Sequence, residues 1–334
     1  MRKTHAFTST ALAVALVFTL VPCTATRIAF AVEKDGSQPV GAVGVQTAES
    51  STPATETESA TDNKTSKKKA AENKKITRKK LIASLNSAKG ARKVTGFGGA
   101  SFKKGSAAGK RLSKALASVK RSTSTCAFIM IDLKTGKGIS SCANKKVYGA
   151  STIKGPYITA LCKYKAASIK GSAKSHIDAV AAWSSNDDYK ALRSRFGSAP
   201  MKKFLRYCGV GEISAGKRWV YYSPKTLAKL WTGSYWANFK ETNSNSSYLR
   251  AKYRKGARSF IKSALSSKAK TYTKTGWGPF SSSGAIYNDA GIVVKNGHPY
   301  VVVVMSKALY HPDKLKSLVK AIDGYHDYMV KHEE

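Results

Sequence analysis

Four consecutive valines, Val301–Val304, lie inside an apolar run from Tyr300 to Met305. So short and so β-branched a run marks a strand buried in a sheet, and the rest of the pattern has to supply that strand's neighbours. Lys295-Asn296-Gly297-His298 is turn sequence that joins it to a preceding strand over 284–294, since Asn-Gly suits a tight hairpin. Before that, strand character starts at Lys268 and runs through Lys274-Thr275-Gly276-Trp277, and a helix from Pro312 to about His332 closes the chain. Upstream, Leu112, Ala115, Leu116 and Val119 recur at helical spacing between Ser106 and Lys120. The period then changes: 126–132 reads as a buried strand, 134–138 as a turn, and a second strand returns toward Ala143. Residues 175 to 265 are mainly helical by pattern, with breaks around Gly197, between Gly209 and Gly216, and from Asn243 to Ser247.

The first third of the chain is of a different kind. Arg2 and Lys3, an apolar stretch from Ala11 to Val21 and the small-x-small site Ala29-Phe30-Ala31 read as a cleavable secretory signal over residues 1–31. The apolar stretch is too short to span a bilayer comfortably, so an exported protein, secreted or held at the cell wall, is expected. Residues 32–75 form a low-complexity tether rich in Thr, Ser and Ala, which cannot bury enough apolar surface to offset chain entropy.

The formal charge of +39 falls to +36 once the leader's three basic residues are removed, and it is unevenly spread. Residues 32–63 carry one Lys against six acids; residues 64–121 carry nineteen basic residues against Glu72 alone. For an exported protein, the partner implied by that basic stretch is an anionic wall polymer or a membrane surface, with no nucleic acid expected. Residues 76–105 carry no clear structural pattern. Four cysteines remain after export: Cys126, Cys142, Cys162 and Cys208. They allow three pairings or free thiols; Cys126 and Cys142 flank the predicted hairpin, and a Cys162–Cys208 bridge would then link two helices. Neither Cys-x-x-Cys nor His-Glu-x-x-His occurs, so no metal or other cofactor is expected.

Three short motifs carry the chemistry: Ser151-Thr152-Ile153-Lys154, Ser184-Ser185-Asn186 and Lys274-Thr275-Gly276. Singly they are weak. Ser-x-x-Lys recurs at Ser66, Ser101, Ser267 and Ser317, Ser-x-Asn at Ser84, and a second Lys-Thr-Gly at Lys134. Order and context separate the set from these repeats. Ile153, Tyr157, Ile158, Leu161 and Cys162 suggest an amphipathic helix that starts at Ser151, so Ser151 and Lys154 share a face, and a distortion is expected at Gly155-Pro156. A serine at a helix N-terminus has free backbone N–H groups beside it that suit an oxyanion. A hydroxyl needs a base to attack at neutral pH, and a buried lysine near other cations can supply one.

In this order the motifs resemble those of the penicillin-recognising serine enzymes, the superfamily of class A β-lactamases and D,D-peptidases. The resemblance covers residues 106–334 and implies an α+β fold: an antiparallel five-stranded sheet flanked by helices, with an all-helical subdomain. It implies Ser151 as nucleophile, Lys154 as its base and Ser184 as proton relay. Asn186, Lys274, Thr275 and Gly276 would bind substrate, and the backbone N–H groups of Ser151 and Trp277 would form the oxyanion hole. The implied activity is that of an exported serine acyl-enzyme hydrolase or transferase, and the implied ligand is a cell-wall peptide or a β-lactam-like molecule.

Two departures qualify the resemblance. Ser184 lies only thirty-three positions beyond Ser151, so the helical subdomain is expected to be reduced. The deacylating glutamate of class A β-lactamases, set in Glu-x-x-x-Asn ahead of a Ser-Pro, has no clear counterpart: the segment before Ser223-Pro224 holds only Glu212, without the Asn. Peptidase or transpeptidase chemistry is therefore favoured over efficient β-lactam hydrolysis. The alternatives are a catalytically silent wall-binding protein of the same fold and a β-lactamase that uses Glu212. Gly-x-Ser-x-Gly is absent, none of the six histidines lies in a triad setting, and the twelve acids beyond Glu72 offer no promising carboxylate pair.

Overall fold

In the computed structural model, residues 76–332 are described. The expected leader and tether lie outside the described residues. Among those described, no helix is long and apolar enough to cross a membrane.

Among the described residues, ten α-helices and eight strands follow in the order α1 (Arg78–Ser87), β1 (Thr95–Phe97), α2 (Ala107–Ser122), β2 (Cys126–Asp132), β3 (Gly138–Ser141), β4 (Val147–Tyr148), α3 (Lys154–Tyr164), α4 (Ser172–Ala182), α5 (Asn186–Phe196), α6 (Ala199–Tyr207), β5 (Tyr221–Tyr222), α7 (Pro224–Tyr235), α8 (Ser246–Tyr253), α9 (Phe260–Leu265), β6 (Lys270–Phe280), β7 (Gly284–Lys295), β8 (His298–Ser306) and α10 (Pro312–His332). The main sheet is antiparallel with order β1-β3-β2-β8-β7-β6, and β4 and β5 form a separate two-stranded ribbon.

The four valines lie in β8, between β2 and β7, and alternate between two cores as the two-residue strand period requires. Val301, Val303 and Met305 join a cluster with Ile129, Ile131 and the helices that follow β4. Val302 and Val304 join Phe128, Met130, Leu112, Leu116, Leu318 and Ile322 on the opposite face, under α2, α9 and α10. The sheet is thus a middle layer between two helical layers. Its last hairpin turns at Asn296 and Gly297, with φ of 48° and 72°, the pair of left-handed residues that a two-residue turn matched to strand twist needs. The first hairpin is closed by Asp132, whose Oδ1 accepts from Lys134 N, Thr135 N and the Thr135 hydroxyl.

The sheet has six strands rather than the five expected, because β1 pairs antiparallel with β3 at Thr95–Ser140 and Phe97–Gly138. Three residues of strand carry too little pattern to be read from sequence. Residues 76–105 thus have definite structure: Thr77 caps α1 by accepting from Lys80 N, and Leu81, Leu85 and Phe97 are buried in the larger core. Between Ser151 and Ser184 only α3 and α4, joined through a short 3-10 turn, make up the helical subdomain.

All four cysteines of the described region are free thiols. Cys126 is packed in the core on the α2 and α10 face, whereas Cys142 sits beyond β3 in a left-handed conformation at φ 55°. Cys162 and Cys208 are buried in the larger core. Burial pushes the Cys126 and Cys162 thiols up to about 12, so they are protonated.

Leu85 is fully buried in α1. Leu85→Ala is expected to cost about 2–5 kcal/mol, read as a lower urea midpoint with an unchanged slope. A midpoint equal to wild type would mean that α1 is not part of the cooperative unit.

Candidate active site

The chain enters the site through Tyr148 and Gly149, turns once as a 3-10 helix over Ala150–Ile153, and continues as α3 from Lys154. Ala150 is held at φ 47°, which is costly for a residue with a Cβ and persists only where surroundings enforce it. Those surroundings are on hand. The Thr152 hydroxyl donates to Gly149 O at 2.6 Å and meets the Tyr222 hydroxyl. Asn288 Nδ2 donates to Tyr148 O at 2.8 Å while its Oδ1 accepts from Ser306 N. The expected distortion falls at the change from 3-10 to α geometry, not at Pro156, which is the third residue of α3, where a helix N–H has no intrahelical partner to lose.

Ser185 caps α5, its hydroxyl accepting from Asp188 N at 3.2 Å. Ser184, one residue earlier, is turned to φ 62°. The Ser184-Ser185-Asn186 segment therefore begins a helix and also presents polar groups to the site. Lys154 Nζ donates to Ser184 O at 2.6 Å, Asn186 Oδ1 at 2.7 Å and Ser185 O at 3.2 Å. Lys274 Nζ, from β6, donates to the Ser184 hydroxyl at 2.7 Å and to Thr275 O at 3.0 Å.

β6 is the edge strand of the sheet, and it comes up against the 3-10 turn at Gly276. A Cβ placed on Gly276 would lie 2.6 Å from both Gly149 O and Ser151 N, so only glycine permits the approach. Trp277 follows on the same strand. Its ring lies under the Arg258 guanidinium, 4.1 Å from the centroid, and lines the cleft rather than a core. Thr275, facing Asp289 across the ladder, is buried and its hydroxyl donates to Ala257 O at 2.9 Å. Of the residues singled out by sequence, Ser151, Ser184, Asn186 and Trp277 line one cavity of about 420 Å³, and Lys154 and Lys274 lie beneath it, joined to it through Ser184.

Sequence reading missed much of the cleft wall. Trp183, 77% exposed, and Trp219 stand beside Ser184, and Tyr148 and Phe280 meet edge to face at 4.9 Å on the other side. Trp183 and Trp219 on loops, and Tyr148 on a two-residue strand, give no period by which to find them, although the exposure of Trp183 beside Ser184 is a signal once the fold is known. Asp289 was missed as well. It is fully buried, and its Oδ2 accepts from the Ser259 hydroxyl at 2.7 Å and Ile261 N at 2.9 Å.

The two lysines are unusual in charge. Burial lowers Lys154 to about 8, opposed by the attraction of Asp187. Burial, and then repulsion by Lys154, lowers Lys274 to about 7. The two amines titrate as a pair, because loss of one proton eases retention of the other. Asp289, near Lys274, is raised to about 7 by burial against its hydrogen bonds.

Glu212 takes no part in this arrangement. Its side chain accepts from the Thr226 hydroxyl at 2.5 Å and from Gly211 N at 3.2 Å, and it is not among the residues that line the cleft. None of the described residues lining the cleft is acidic. Among the described residues no group of three His, Cys, Asp or Glu side chains is placed to hold a metal ion.

Ser151 thus stands on a strained turn packed against an edge strand, with buried amines converging on a second serine. A sequence model of the family described as "Beta-lactamase enzyme family" matches residues 175–323, a range that includes Ser184, Asn186 and Lys274 but begins after Ser151 and Lys154. Among solved structures, PBP-A is similar at 16% identity and TM-score 0.51, covering 65% of this chain and 97% of its own. A β-lactamase from Xanthomonas campestris pv. campestris is similar at 16% identity and TM-score 0.53, covering 64% and 97%. A variant of the class A β-lactamase of the last common ancestor of Gram-negative bacteria gives 17% identity and TM-score 0.54, covering 67% and 100%. No curated protein matches the sequence. Residues 175–323 thus match that family's model, and the described region has the β-lactamase-like fold.

Gly276→Ala is expected to push β6 away from the turn that carries Ser151, because the added methyl meets backbone atoms. Hydrogen exchange of the amides over residues 149–152 should quicken by about tenfold or more, a loosening of local opening worth about 1.4 kcal/mol. Unchanged exchange would show that the turn does not depend on that contact.

Proposed function

We propose that this protein is an exported serine acyl-enzyme hydrolase or transferase that acts on cell-wall peptides ending in a free carboxylate. The observation that carries the reading is the meeting of Lys154 and Lys274 on Ser184, in a cleft that also holds Ser151. As an ammonium, Lys154 spends its three N–H groups on Ser184 O, Ser185 O and Asn186 Oδ1. As a neutral amine it has two N–H groups, so one acceptor is released and a lone pair becomes free for the Ser151 proton. With a pKa of about 8, about a tenth of it is neutral at pH 7.

The serine oxygen then attacks the scissile carbonyl, and the oxyanion develops between Ser151 and the edge strand at Trp277. The Ser184 hydroxyl passes a proton to the departing amine, and Lys274 replaces it. Lys274, in its charged form, receives the substrate's carboxylate, and Thr275 joins it once its hydroxyl turns from Ala257 O; that anion favours the ammonium and counters the effect of burial.

The lack of an acidic residue lining the cleft, with Glu212 bonded to Thr226, favours peptidase or transpeptidase chemistry over rapid antibiotic hydrolysis, since no carboxylate is at hand to activate water on the acyl-enzyme. A mutant of PBP-A has been solved as an acyl-enzyme complex with penicillin G, which supports a β-lactam as a probe here. Export rests on the leader sequence, and retention at an anionic wall or membrane surface on the basic segment.

A fluorescent penicillin is expected to label the protein covalently, with labelling lost in Ser151→Ala and kept in Ser101→Ala. The label should persist for many minutes, and Glu212→Gln should leave its lifetime unchanged. Equal labelling of Ser151→Ala sinks the assignment of the nucleophile.

The acylation rate is expected to climb with pH, reach half its limit near pH 8 and level off about one unit above it. Lys154 is the base only when deprotonated, and its lowered pKa puts that change below the usual lysine range. A rate flat from about pH 6 to 9 would remove Lys154 from the role of base.

A further inference from the structure

A second cavity, of about 580 Å³, adjoins the reaction cleft and shares one wall with it, Trp219. It is lined by Arg193, Lys217 and Arg218, with Gly197 and Ser198 where α6 begins, and no acidic residue is among its described walls. Arg193 is the informative member. It is only 8% exposed, and among the described residues no carboxylate pairs with it.

Burying an unpaired guanidinium is costly, and this one is held in place by neutral groups. Nη2 donates to Ala215 O at 2.7 Å and Gly216 O at 2.9 Å, and the group lies 4.8 Å from the centroid of the Tyr157 ring. The same contacts fix the loop that carries Lys217, Arg218 and Trp219: the Tyr189 hydroxyl donates to Arg218 O at 3.2 Å, and its ring meets Trp219 edge to face. Arg193 is buried and thereby fixed before any ligand arrives, and the backbone that carries the other two cations is held with it. The positive end of α6 adds to the same field.

We propose that this cavity is an anion subsite that takes a second carboxylate of the substrate, remote from the one received by Lys274 and Thr275. The inference rests on the reading of Ser151 as an acylated nucleophile. Continuity through Trp219 makes the two cavities one extended surface, so a peptide acylating Ser151 that bears an acidic side chain reaches Arg193, Lys217 and Arg218. The guanidinium of Arg193 has N–H groups beyond the three already engaged, and Lys217 and Arg218 are exposed and free to close on the anion.

The test compares two penicillins that differ only at the end of the acyl side chain, one with a carboxylate and one with the carboxamide. For the wild type the ratio of their acylation rates is expected to favour the carboxylate about tenfold at low salt, and to fall to about one in the Lys217→Met, Arg218→Gln double variant. Both altered residues are on the surface, so the fold is retained. A ratio of one in the wild type, or a tenfold ratio that survives the double substitution, overturns the proposal. If neither penicillin acylates the wild type, the acyl-enzyme reading has failed, and the subsite is judged from the ring-opened forms of the same two probes bound to the Ser151→Ala protein, followed by tryptophan fluorescence. Tighter binding of the carboxylate form that is lost in the double variant upholds the subsite; equal binding of the two forms refutes it.

Discussion

Two buried ammonium groups converge on one residue, and the geometry of the cleft depends on that meeting. Ser184 offers its carbonyl to Lys154 and its hydroxyl to Lys274, so α3, the loop before α5 and the edge strand β6 are tied together at a single point. The arrangement needs Ser184 at a left-handed φ, a conformation that costs an L-residue of order 1–3 kcal/mol. Ser185 supplies part of the offset by capping α5, which fixes the chain one residue away. The consecutive serines thus divide the work: one starts a helix, and the other is held out of it and into the site.

Placing two lysines side by side in a buried site is unfavourable twice over, through lost hydration and through mutual repulsion. Both depress the pKa values, and a depressed lysine is the form a serine nucleophile without histidine requires. Asp289, set deeper and held by Ser259 and Ile261, opposes these effects on Lys274, although burial raises its own pKa to about 7. It steadies Lys274 through space without touching the cleft, so a positive field is kept where an anionic group would dock. An acid at the surface of the cleft would have cancelled that field.

The parts of the fold visible in sequence are those with a strong period. β2, β7, β8, α2 and α10 stand close to where their apolar spacing puts them, because each is long enough for burial to write a repeat. β1 was not visible: Thr95-Gly96-Phe97 has one buried side chain, Phe97, and is a strand only because β3 leaves an edge for it to pair with. Helix α1 was hidden for a related reason, since Leu81, Ile82 and Leu85 lie among lysines and arginines whose charge dominates the reading. In the site, the polar motif residues were legible as a set, whereas Trp219 and Asp289 were not. Trp219 acquires meaning only from the loop that Arg193 pins, and Asp289 looks like any strand residue until its neighbour across the ladder, Thr275, is known.

On the proposed reading of Ser151 as nucleophile, the aromatic wall shapes the fate of its acyl group. Trp183, Trp219, Trp277, Tyr148 and Phe280 line the cleft beside that serine with mostly apolar ring surface, and no carboxylate stands among them to deprotonate a water. On that reading water is a poor acceptor. An amine brought in on a second peptide chain is better placed, because it carries its own binding surface for stacking on the rings and a nucleophile stronger than water. On the proposed reading the same walls disfavour hydrolysis relative to transfer, and only α3 and α4 lie between Ser151 and Ser184.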